Sequence, residues 1–110
     1  MTRPGRETLL ERERFEFRPK SGGGILSYEV WGHVEKGKTV VTRYNLAYVN
    51  HAICQGDNGR VLGFDNAHGS HHRHFMGEIE AVDFTSYEAT QERFRQEWLG
   101  IVHQTRGKKP

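Results

Sequence analysis

The sequence predicts an α+β protein, an antiparallel sheet of four to five strands covered on one face by a single long C-terminal helix. Three observations predict it. Segments of alternating polarity fill the chain from Arg12 to Phe84, the period-two signature of half-buried strands. Gly37 and the pair Asn58-Gly59 stand between such segments, where tight hairpins need left-handed backbone. Thr85-Ser86-Tyr87-Glu88 then matches a capping box, in which hydroxyl and carboxylate satisfy orphan amides at a helix start.

Each element follows from local chemistry. Residues 1–11 carry mixed charge with only Leu9-Leu10 to bury, and are expected to form a flexible arm. The folded domain is expected to span 12–103. Its first strand, Arg12 to Arg18, alternates charge with Phe15 and Phe17. Pro19 to Gly24 reads as a turn, and Ile25 to Val34 as a strand with Leu26, Tyr28 and Val30 on one face. After the Glu35-Lys36-Gly37-Lys38 turn comes the longest strand signal, Thr39 to Cys54, with neither face uniformly apolar. Asn58-Gly59 should return the chain antiparallel into Arg60-Phe64. A strand at His72 to Met76 and a short extended piece between Glu78 and Phe84 complete the sheet. Thr85 is the expected N-cap of a helix whose stripe of Tyr87, Phe94, Trp98, Ile101 and Val102 faces the core. That helix should end near His103, leaving 104–110 as a basic tail.

Composition narrows the function. The chain has 110 residues, close to the commonest domain size, and a formal charge of +2 that permits a nucleic-acid partner without demanding one. Its one cysteine, Cys54, allows no intramolecular disulfide and suits a reducing cytoplasm; it reads as a buried structural thiol. No apolar run approaches the roughly 20 residues of a membrane span. There is no phosphate-binding Gly-x-x-x-x-Gly-Lys-Ser/Thr loop, and no cofactor is implied.

The stretch that carries chemistry is Gly63 to Phe75, where His68, His71, His72 and His74 fall within seven positions. Imidazole density of this kind favours proton transfer, metal binding or phosphate contact. Asp65-Asn66 suits a break from the ladder, and Gly69 supplies a position for positive φ. In an extended segment His72 and His74 share a face, with Cα atoms roughly 6.6 Å apart. His71 and Arg73 share the other.

Arg43-Tyr44-x-Leu46-Ala47-Tyr48-Val49, Val61-Leu62-Gly63-Phe64-Asp65-Asn66, Gly69, His72-Arg73-His74 and Phe84-Thr85-Ser86, in that order, resemble the TumE family. The resemblance covers residues 12 to 102 and departs just before His72, where His71 takes the place of an acidic residue. Members are toxins of bacterial type II toxin–antitoxin pairs. The resemblance implies a helix-turn-helix antitoxin encoded nearby, and RNA as the target. On that reading His72 and His74 are general acid and base in a metal-independent ribonuclease, with Asp65 orienting one imidazole. Arg43 neutralises phosphoryl charge. Arg73, Tyr44, Tyr48 and Asn66 are the expected substrate contacts. Two alternatives stand beside it. His72-x-His74-x₃-Glu78 offers two imidazoles and a carboxylate to a divalent transition ion. A non-catalytic module would instead dock protein or nucleic acid through Trp31, Tyr44, Tyr48 and the arginines.

Overall fold

The computed structural model describes residues 7–107. Six strands, β1 (Thr8–Glu16), β2 (Ile25–Glu35), β3 (Lys38–Val49), β4 (Arg60–Asp65), β5 (His72–Phe75) and β6 (Glu78–Ala81), precede one helix, α1 (Tyr87–Gly107). The strands form one antiparallel sheet in chain order, β1-β2-β3-β4-β5-β6. The architecture is α+β as expected, with one strand more than the sequence suggested.

The turns explain the meander. Lys36 and Gly37 both take positive φ, as do Met76 and Gly77, the backbone of two-residue hairpins whose twist matches the strands they join. The Met76-Gly77 hairpin joins β5, expected at His72 to Met76, to β6, which the sequence suggested only as a short extended piece between Glu78 and Phe84. Between β3 and β4, Asp57, Asn58 and Gly59 are left-handed in succession, and the Asn50 amide donates to the Gly59 carbonyl at 2.8 Å. β3 ends at Val49 rather than Cys54. Asn50 turns the chain, its Oδ1 accepting from the Ala52 amide and its Nδ2 donating to the Gly22 carbonyl. Cys54 is buried just beyond, outside any strand.

α1 lies across β3 and β4. Leu26, Tyr44, Leu46, Tyr48, Leu62, Phe64, Phe94 and Val102 belong to one buried cluster. Phe94, fully buried, meets Tyr28 and Phe64 edge-on at 5.5 and 6.2 Å, a geometry aromatic quadrupoles favour. Trp98 packs on Phe17. The helix cap is Ser86, not Thr85: the Ser86 hydroxyl accepts from the Ala89 amide at 3.0 Å. The helix also runs past His103 to Gly107, into the expected tail.

β1 starts at Thr8, inside the stretch expected to be an arm; residues 1–6 and 108–110 lie outside those described. It is an edge strand whose register puts Glu11 and Glu13 on one face and Arg12, Arg14 and Glu16 on the other. Glu11, Glu13 and Phe15 pair with Val30, Tyr28 and Leu26 on the helix side. Arg12 and Arg14 pair with Glu29 and Ser27 on the bare side.

Candidate functional site

The face of the sheet turned away from α1 is where the polar residues gather. One cross-strand row reads Arg12, Glu29, Asn45, Asp65, His72 and Ala81. The next reads Arg14, Ser27, Ala47, Gly63, His74 and Ile79. His72 and His74 therefore share a face, as the period-two argument requires. Arg73 faces the helix.

The two histidines differ in environment. His74 is 7% exposed. Its Nε2 lies 2.7 Å from Asp65 Oδ2, and its Nδ1 lies 3.1 Å from Arg60 Nη2. A guanidinium has donors only, so Nδ1 accepts and the ring proton sits on Nε2, donated to Asp65. Asp65 thus accepts from an imidazole, and that imidazole is His74. Arg60 is fixed in turn by Asp57, through bonds of 2.8 and 3.2 Å. Gly63 makes room for this network, because a Cβ there would stand 2.7 Å from Arg60 Cδ. With both nitrogens engaged, His74 cannot exchange a proton with a substrate while the network stands. His72 is half-buried and faces Asp65 in register, and its imidazole makes no hydrogen bond with the described residues.

Beside this row a cleft of about 160 Å³ is lined by Glu29, Trp31, Arg43, Tyr44, Asn45, Asp65 and Ala67. The Arg43 guanidinium lies 4.6 Å from the centre of the Trp31 ring, a cation–π stack. Its Nη2 is 3.4 Å from the Glu7 carboxylate, which also accepts from the Thr42 hydroxyl. Glu29 accepts from Trp31 Nε1 at 2.9 Å and from Arg12 at 3.2 and 3.3 Å. These bonds, that from Trp31 foremost, hold its carboxyl below the usual range, so it stays ionised.

The expected substrate contacts are structural instead. Tyr48 is 1% exposed and Tyr44 2% exposed; both point under the helix. The Tyr44 hydroxyl lies 2.8 Å from His71 Nδ1. The His71 ring lies nearly parallel to Phe84 and Tyr44, with ring centres 3.9 and 5.8 Å away. Burial pushes the Tyr44 phenol up to about 12. Asn66 imitates a strand: its Oδ1 accepts from the Tyr44 amide and its Nδ2 donates to the Thr42 carbonyl, extending the β3–β4 ladder by one side chain. Arg73 clamps sheet to helix, donating to Glu97 at 2.7 and 2.9 Å and to Glu80 at 3.0 Å.

The three-ligand metal alternative fails on topology. The Met76-Gly77 hairpin sets Glu78 opposite Phe75, on the face that Arg73 and the helix share, away from His72 and His74. Among the described residues no group of three or more His, Cys, Asp or Glu side chains is placed to hold a metal ion. The side chain of His68 lies outside those described. No described helix is long and apolar enough to cross a membrane.

Sequence reasoning missed Glu29 and Asn45 for a definable reason. Counting from the Lys36-Gly37 turn, Glu29 would face Tyr44; a bulge between Trp31 and Gly32 shifts the register so that it faces Asn45. The signal is Gly32 itself, a glycine inside a strand, where a Cβ would lie 2.0 Å from the Val40 carbonyl oxygen. Comparison with protein-family models, curated proteins and solved structures gives no match.

Proposed function

We propose that this protein is a TumE-type toxin of a bacterial type II toxin–antitoxin pair, and that the helix-free face of its sheet cleaves RNA without a metal ion. The observation that carries the reading is His72: a half-buried imidazole with no hydrogen-bond partner among the described residues, set beside the Asp65 carboxylate and in one row with Asn45. In this mechanism His72 takes the proton of a ribose 2′-hydroxyl. The 2′-oxygen attacks phosphorus, the bond to the 5′-oxygen breaks, and water protonates the leaving oxygen. The products are a 2′,3′-cyclic phosphate and a 5′-hydroxyl. Positioned bases of this kind contribute on the order of 10² to 10⁴ in rate. Arg43, half exposed and stacked on Trp31 away from His72, lends positive charge to the bound strand rather than to the phosphoryl oxygens. His74 orients Asp65 rather than serving as a second proton donor, which revises the two-histidine scheme.

The test combines growth and cleavage. Expression alone should slow bacterial growth, and co-expression with the neighbouring helix-turn-helix protein should restore it. Purified protein should cleave RNA in excess chelator, and His72→Gln should remove that activity at unchanged Tm. Loss of cleavage in chelator with rescue by zinc or manganese would reject the metal-independent scheme. One observation favours a second reading. The Arg43–Trp31 stack is a ready platform for a nucleic-acid base without any chemistry, and a pure binding module would keep its affinity in His72→Gln.

A further inference from the structure

The cleft beside His72 has a lining that discriminates among the four bases. Its rim offers acceptors at Glu29 and Asp65, both polarities at Asn45, and a flat wall at Trp31 and Arg43. Glu29 is preset for recognition. Arg12 donates twice to Oε2 and Trp31 Nε1 once to Oε1, so the carboxylate is fixed and Oε1 keeps a second lone pair. Asn45 is exposed, and its side chain makes no hydrogen bond with the described residues. The open side of Oε1 suits two adjacent N–H donors converging on it from one planar edge. Guanine alone among the RNA bases presents such a pair, N1–H beside the N2 amino group, with the O6 acceptor next to them. Adenine, cytosine and uracil each place an acceptor where the second donor is needed, and so leave the carboxylate with an unfavourable contact.

We infer that this cleft is a guanine subsite: Glu29 accepts from N1–H and N2–H, the Asn45 amide donates to O6, and the base stacks on the wall made by Trp31 and Arg43. Single-stranded RNA is read in this manner elsewhere, through Watson–Crick edges and stacking on aromatic or guanidinium planes. The register extends the assignment to the scissile bond. Asn45 and His72 stand two strands apart in one row, roughly 10 Å at the spacing of paired strands, which is of the order of the distance from a base edge to its own 3′-phosphorus. The cut would then fall on the 3′ side of a guanosine. This step rests on the ribonuclease reading; the base preference itself does not.

Two measurements separate them. Titration of the protein with the four nucleoside 3′-monophosphates, followed by Trp31 fluorescence with Trp31→Phe as control, reads the subsite alone. Guanosine monophosphate should bind about tenfold or more tighter than the other three, the discrimination of one bidentate pair. Glu29→Gln should remove the preference while leaving the weaker affinities in place, and a melting curve should show the variant folded. Equal affinity for all four would overturn the subsite. Incubation with oligouridine carrying a single guanosine then reads the placement: a single cut after that guanosine supports it. Cutting at every uridine, or 5′ of the guanosine, overturns it while leaving the ribonuclease reading intact. Guanosine preference without cleavage sustains the subsite as a binding site and rejects the ribonuclease.

Discussion

His74 spends both ring nitrogens inside the protein, on Arg60 and Asp65, whereas His72 two positions away spends neither. The contrast makes them separable by experiment. His74→Ala leaves Asp65 and Arg60 facing a vacant position, and an unsatisfied buried group costs about 1–3 kcal/mol. It should therefore lower stability by that amount in a denaturant titration. His72→Ala should stay within about 0.5 kcal/mol yet abolish cleavage. Equal stability losses would mean that the Arg60–His74–Asp65 network does not form. Tyr44 gives a pH prediction. Its folded value of about 12 exceeds the ordinary 10.0 because burial, and after it the Asp65 carboxylate, oppose the phenolate, against a lowering contribution from the Thr90 hydroxyl. A raised acid favours the folded state fully below 10, and that contribution is lost as pH climbs through about 12. Alkaline unfolding monitored by circular dichroism should set in across this window, and Tyr44→Phe should move it upward. Period-two alternation was enough to read which face His72 and His74 share. The burial of His74 was not legible, because it depends on Arg60 crossing the bare backbone of Gly63, a contact no local pattern encodes.

At the scale of elements, the sequence shows where a helix starts to within a residue, and cap chemistry decides the rest. Thr85 and Ser86 both carry a hydroxyl, and only Ser86 stands where its oxygen can take the Ala89 amide proton. Ser86→Ala should cost about 1 kcal/mol, while Thr85→Ala, at an exposed position, should be nearly neutral; the reverse order in thermal melts would restore the original cap. The β2–β3 hairpin teaches a similar lesson about register. Its turn was legible from Gly37, but the bulge at Gly32 rotates everything beyond it by one residue and so creates the Glu29–Asn45 pair. Gly32→Ala would drive a methyl into the Val40 carbonyl. It should destabilise the hairpin and weaken guanosine binding together, detectable as a lower Tm with loss of the fluorescence response.

Across the whole molecule the sheet leaves two edges, β1 and β6. An edge of nine residues presents unpaired amides and carbonyls to any passing strand. Another copy of the chain would approach β1 antiparallel, related by a two-fold axis normal to the sheet. Such an axis keeps each side chain on its own face, so partners must come from positions of equal parity. Glu11 and Glu13 hold one parity and Arg12 and Arg14 the other. Centring the axis on position 12 sets Arg12 against Arg12 and Glu11 against Glu13; centring it on 13 sets Glu13 against Glu13 and Arg12 against Arg14. Like charges directly opposite are destabilising. The double variant Arg12→Val, Glu13→Val removes these clashes and should self-associate with rising concentration in sedimentation velocity, more than the parent does. Equal behaviour would show that charge does not guard this edge. In the registers centred on 12 and 13 the stretch Glu-Arg-Glu-Arg sets like charges opposite one another, a parity pattern that should oppose growth into fibres.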